Sequence, residues 1–221
     1  MSRVRTSVLT ALGLGALAAS ALTGVTTTAA AGTAPTCHGK TATIVGDSEY
    51  VEGTSGDDVI YAPDSEVHAF AGDDDVCAAY LVYAGPGDDF VTVPGGGDTE
   101  IQGDGGNDRI IVGEGFADIR GGFGNDEITT GKGPQYIDGG PGRDRISAGP
   151  GKDYVSGDDG ADVLRGGAGA DTLVGGRGAD ELHGGSADDE LYGGRGQDIG
   201  YGGPGKDSCQ RGVEERHSCH G

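Results

Sequence analysis

Between Gly139 and Asp207 the chain repeats itself every nine residues without a slip in register. Gly139-Gly-Pro-Gly-Arg-Asp-Arg-Ile-Ser is followed by Ala148-Gly-Pro-Gly-Lys-Asp-Tyr-Val-Ser, and further units begin at Gly157, Gly166, Gly175, Gly184, Gly193 and Gly202. Glycine dominates the first, second and fourth places, Asp always holds the sixth, and the eighth is apolar except at Gly200. Glycines at the early places admit tight turns that side chains forbid, which leaves the last three places for a short strand with its middle residue inward. One buried aliphatic contributes about 1.5–3 kcal/mol, too little to hold so short a strand alone. The units must therefore stack, parallel strand on parallel strand about 4.8 Å apart, two units to a coil of eighteen residues.

The column of eighth-place residues extends well before the clean repeats. It reads Leu191, Leu182, Leu173, Leu164, Val155, Ile146, Ile137, Ile128, Ile119, Ile110 and Ile101, and with small changes of spacing Val91, Val82, Val76, Val67 and Ile60. This order is what separates the chain from a disordered acidic tail, which its 48 glycines and formal charge of −21 would otherwise suggest. So much acid disfavours nucleic acid as a partner and leaves solubility or cation binding as its purpose.

The pattern resembles the RTX calcium-binding nonapeptide repeat, G-G-x-G-x-D-x-U-x, over about residues 53–208. The resemblance implies an all-β fold: a right-handed parallel β-roll or β-helix solenoid of about nine 18-residue coils with capped ends. It also implies Ca²⁺ held between turns one coil apart by the sixth-place Asp of both turns and nearby carbonyls, hard oxygen ligands that suit this ion. Sorting the sixth places by side shows an asymmetry. One side reads Asp58, Asp74, Asp89, Asp108, Asp126, Asp144, Asp162, Asp180 and Asp198; the other reads Ser65, Tyr80, Thr99, Ala117 and Gln135 before Asp153, Asp171, Asp189 and Asp207. Pairs from Asp108 to Asp198 predict five inter-turn sites, and pairs from Asp153 to Asp207 three, eight ions in total. For Asp58, Asp74 and Asp89, where the spacing departs from eighteen, Asx-turn hydrogen bonding within their own turns is an equal alternative. No EF-hand spacing is present.

The segment 1–31 has the three parts of a secretory signal peptide: basic Arg3 and Arg5, an apolar run from Val8 to Leu22, and small residues at Ala29-Ala30-Ala31, with cleavage expected after Ala31. The apolar run is short for a bilayer span, so no membrane span is expected after cleavage and the product is secreted. Losing the two arginines takes the charge to about −23, and eight dications would bring it to about −7, comfortable for a soluble monomer. Four cysteines fit an oxidising compartment. Cys37–Cys77 and Cys209–Cys219 are favoured by proximity along the chain, though four cysteines allow three connectivities. The segments are then 1–31 signal, 32–52 N-terminal cap, 53–138 degenerate roll, 139–208 regular calcium-binding roll and 209–221 C-terminal cap.

No His-Glu-x-x-His, Gly-x-Ser-x-Gly or P-loop motif is present, and the repeats leave no room for a catalytic module, so an enzyme is not expected. A polysaccharide-acting solenoid is the enzymatic alternative, without an assembled set of catalytic groups to support it. The outward aromatics Tyr61, Tyr83, Phe90, Tyr136, Tyr154, Tyr192 and Tyr201 suit cross-strand packing, or else a cell-surface glycan or protein partner of a calcium-dependent adhesin. His217 and His220 beside Cys209 and Cys219 would allow zinc or copper, against which stands the disulfide.

Overall fold

The computed structural model describes residues 7–8, 34–78, 80–95, 97–210 and 212–219. The expected signal peptide and its cleavage point lie outside these residues, apart from Ser7–Val8, which pairs antiparallel with Ile44–Val45.

The chain forms the expected parallel solenoid of about nine coils. Successive strands alternate between a twelve-stranded and a ten-stranded sheet, so each coil contributes one strand to each. The core lies between the sheets and is the predicted column: Ile60, Val67, Val76, Val82 and every eighth-place aliphatic from Val91 to Leu191 are essentially inaccessible. Ile44 and Val51 extend it at one end, and Cys209 and Val213 at the other. The column stays aligned although the coils differ in length. Ile60 pairs with Val76 and Val76 with Val91, whereas Val91 reaches Ile110 across a longer coil before the regular eighteen sets in. Burial fixes this register, because a one-residue slip would turn every aliphatic toward water. Long and short turns absorb the difference.

Most strands from Val59–Ala62 onward exceed the three residues expected from the repeat. Val163–Ala168 and Thr172–Gly178 continue through the first glycine places of the following unit, where Gly167 pairs with Gly185 and Gly176 with Gly194. A glycine at positive φ, as these are, still offers its N–H and C=O to the next coil, so the ladder of hydrogen bonds carries on and the turn shrinks. Gly178 shows what the turn demands. Its φ is +139°, and a Cβ there would lie 1.3 Å from the carbonyl oxygen of Gly160 in the preceding coil.

Each end is held by a disulfide, Cys37–Cys77 and Cys209–Cys219. At the first end, the hairpin of Thr36–Cys37 and Lys40–Thr41 lies against the twelve-stranded sheet. His38 bridges Asp75 Oδ1 at 3.0 Å and Thr92 Oγ1 at 2.6 Å, with its ring stacked on Phe90 and Lys40 paired to Asp75. At the other end, Val213–His217 adds a further parallel strand. The break in the apolar column at Gly200 has its cause here: a Cβ would come within 2.8 Å of Val213 Cγ1 and 3.1 Å of Cys209 Sγ. Among the described residues no helix is long and apolar enough to cross a membrane.

Ile119 lies at the centre of this column, fully buried. Ile119→Ala is expected to cost about 2–5 kcal/mol, read from urea unfolding in calcium. Opening Cys37–Cys77, whose partners are 40 residues apart, is expected to cost about 4 kcal/mol. Opening Cys209–Cys219, 10 apart, should cost about 2.7 kcal/mol. Melts of paired Cys→Ala variants check the order.

Candidate metal centres

The turns entering the two sheets bring the sixth-place aspartates into two buried files. On the first, the backbone N–H of each Asp donates to Oδ1 of the Asp in the following coil: Asp58 to Asp74, then Asp89, Asp108, Asp126, Asp144, Asp162, Asp180 and Asp198, at 2.8–3.0 Å. The second file repeats this from Gln135 through Asp153, Asp171 and Asp189 to Asp207. The bonds run between coils. Asx bonding within a single turn is seen at Asp58, whose Oδ2 accepts from both N–H and Oγ1 of Thr54.

The second carboxylate oxygen of every other member has no partner. Oδ2 of Asp74, Asp89, Asp108, Asp126, Asp144, Asp153, Asp162, Asp171, Asp180, Asp189, Asp198 and Asp207 is buried without a hydrogen bond. These oxygens face more oxygen. A Cβ on Gly157 would lie 2.5 Å from Asp162 Oδ2 and 2.8 Å from the carbonyl of Gly175; on Gly175 it would lie 2.5 Å from Asp180 Oδ2 and 2.6 Å from the carbonyl of Gly193. The missing side chain of the first-place glycine thus opens a small space that two oxygens of successive coils share. Buried anions and carbonyls turned on one another without a donor are unfavourable alone and match the oxygen shell of a hard dication. The residues fit calcium. At Asp74, Asp89 and Asp153 the first place is Ala69, Ala84 or Ala148, all fully buried, and a methyl enters that space.

Burial is the main influence on these acids. It pushes Asp89 up to about 8 and Asp108, Asp144, Asp153 and Asp162 up to about 7. Asp74, Asp180 and Asp189 rise to about 6, and Asp126 and Asp171 rise as well. The N–H from the preceding coil opposes the shift in every case, and in most of them neighbouring carboxylates add to it.

Sequence reasoning missed an outer file at the fifth places. Oδ1 of Asp57, Asp73 and Asp88 accepts the N–H one coil on, as does the side-chain oxygen of Asn107 and Asn125, up to Arg143. The recurrence of Asp or Asn beside the sixth place was the available signal. This file is exposed. Among the outward aromatics Tyr136 stacks on Tyr154, while Phe90, Tyr83 and Tyr201 pack against histidines: His38, His68, and His183 with His217. Among the described residues the one Cys/His cluster of ligand-like spacing, Cys37, His38 and Cys77, has both sulfurs in a disulfide, as has the Cys209–Cys219 pair.

A family model described as the RTX calcium-binding nonapeptide repeat (4 copies) matches residues 45–62, 102–134, 111–146, 129–164, 138–173 and 174–209. Within the unmatched stretch between 62 and 102 the coils depart from eighteen residues. Comparison with curated proteins and with solved structures gives no match.

The raised carboxyls set the pH response of the metal-free roll. Folded, they keep their protons to about pH 6–8, while in the unfolded chain they lose them near 3.8. The folded state binds more protons across that window, so its stability falls as pH rises through it. The melting midpoint in metal-free buffer is expected to be higher at pH 5 than at pH 8. Circular dichroism melts check this, and a midpoint that climbs from pH 5 to pH 8 would contradict it.

Proposed function

The chain belongs to the RTX calcium-binding nonapeptide-repeat family, and from that premise we propose an exported, non-catalytic protein whose C-terminal coils fold when they meet extracellular calcium. One observation carries the reading: the unbroken files of buried carboxylate oxygens without a donor. Calcium supplies the positive charge that those oxygens lack. Asp108, Asp126, Asp144, Asp162, Asp180 and Asp198 would hold five ions on the first side, and Asp153, Asp171, Asp189 and Asp207 three on the second. Asp74 and Asp89 have the same open oxygen beside an alanine methyl, as Asp153 does, but lie in coils whose length departs from eighteen; Asp58, already satisfied by Thr54, is left out. Export is supported by the leader-like segment 1–31 and by the two disulfides.

Binding and folding are linked because the metal-free files repel and the ions relieve them. The N-terminal coils, with Ser65, Thr99 and Ala117 in place of the second file, depend less on calcium.

Calorimetric titration of the chain lacking residues 1–31 is expected to give about eight calcium ions, with strand content by circular dichroism rising over the same range. Ten ions would assign the spaces Asp74–Asp89 and Asp89–Asp108 as well. Full strand content at pH 8 without calcium, or no uptake, would sink the proposal. Asp162→Asn is expected to remove the two ions that share this residue, whereas Asp57→Asn on the outer file leaves the count unchanged.

A further inference from the structure

The second file of aspartates begins abruptly, and the residue beneath its first member is not an ordinary turn residue. Gln135 keeps the backbone geometry of the file, its N–H donating to Asp153 Oδ1 at 2.8 Å. It is 3% exposed. Its side-chain Nε2 stands among three carbonyl oxygens: Gly115 at 3.0 Å, Gly133 at 3.1 Å and Gly131 at 3.4 Å. Two of these belong to its own turn and one to the coil before. An NH₂ group has two hydrogens for three acceptors, so the oxygens gather round the positive end of the amide much as they would round a cation. Oε1 finds no partner, and this cost falls on the side of the amide away from the carbonyls.

The level above is closed by a second donor. Thr130 holds the first place of the same repeat, and its hydroxyl donates to the carbonyl of Ala148 at 2.6 Å, buried. In later coils of this side, the corresponding first-place carbonyls of Gly184 and Gly202 border the space into which Oδ2 of Asp171 and Asp189 points. Where those coils leave carbonyl and carboxylate facing each other, the Thr130–Gln135 turn provides O–H and N–H.

We propose that Thr130 and Gln135 form an internal stop, in which covalently held donors take the place of calcium and set the coil at which the second ladder begins. The stop rests on the calcium reading of the ladders above it. It gives this boundary a cohesion that needs no ion, between N-terminal coils without a second file and C-terminal coils with one. The double substitution Thr130→Gly and Gln135→Asp restores the repeat pattern at this turn and opens a calcium site toward Asp153.

Calcium stoichiometry of the native chain and of T130G/Q135D, by calorimetry under one set of conditions, tests the stop. The expected result is one more ion in the double variant. A native chain that binds calcium while the variant binds no more overturns the stop alone; a native chain that binds none overturns the calcium reading and the stop with it. Should the double variant fail to fold, Gln135→Met keeps length and burial but removes the donors. Its melting midpoint is expected to drop by several degrees equally with and without calcium, at an unchanged ion count. No drop, or a drop confined to calcium, overturns the proposal.

Discussion

Like-charged carboxylates stacked one per coil are the interaction on which the rest of this structure depends. Parallel strands impose a spacing of about 4.8 Å, at which two unit charges repel by about 3 kcal/mol at an effective dielectric near 20. The aliphatic column demands that spacing, and the turns bury the charges at it. Proton uptake and cation binding are the two ways out. Burial raises Asp89, Asp108 and Asp144 toward the first, and repulsion from neighbouring carboxylates adds to it.

Core and ladders make opposite contributions to the same register. Each Oδ1 accepts an N–H from the coil before it, which ties adjacent turns, while each Oδ2 is left facing other oxygens. The carboxylate is thus half structural and half without a partner. This division explains how Asp74 and Asp89 keep their place in irregular coils: the structural half is satisfied at any coil length, because the aliphatic column restores the register before the turn is reached.

Much of this was legible from residue types at fixed intervals. The column from Ile60 to Leu191 is inward because an aliphatic every nine residues allows no other face, and it survives changes in coil length because burial selects register. The two files could be read from the alternation of sides. The length of the strands could not, since glycine's conformational freedom hides whether a Gly-Gly-x segment leaves the ladder or stays in it; pairing across coils shows that it stays, with the second glycine at positive φ. Nor could the bonding of Asp58 Oδ2, which depends on Thr54 folding back onto it.

The amino-acid sequence by itself determined the repeat, the parallel stacking, the inward column and the positions of the aspartates, because each follows from periodicity and side-chain chemistry. Only the tertiary structure decided which oxygens remain without partners, why Gly200 must be glycine beneath Val213, and how Gln135 and Thr130 close their turn. Those outcomes depend on atoms one coil away, eighteen residues along the chain yet in direct contact, and nine-residue periodicity carries no information about which of two neighbouring oxygens a donor will reach.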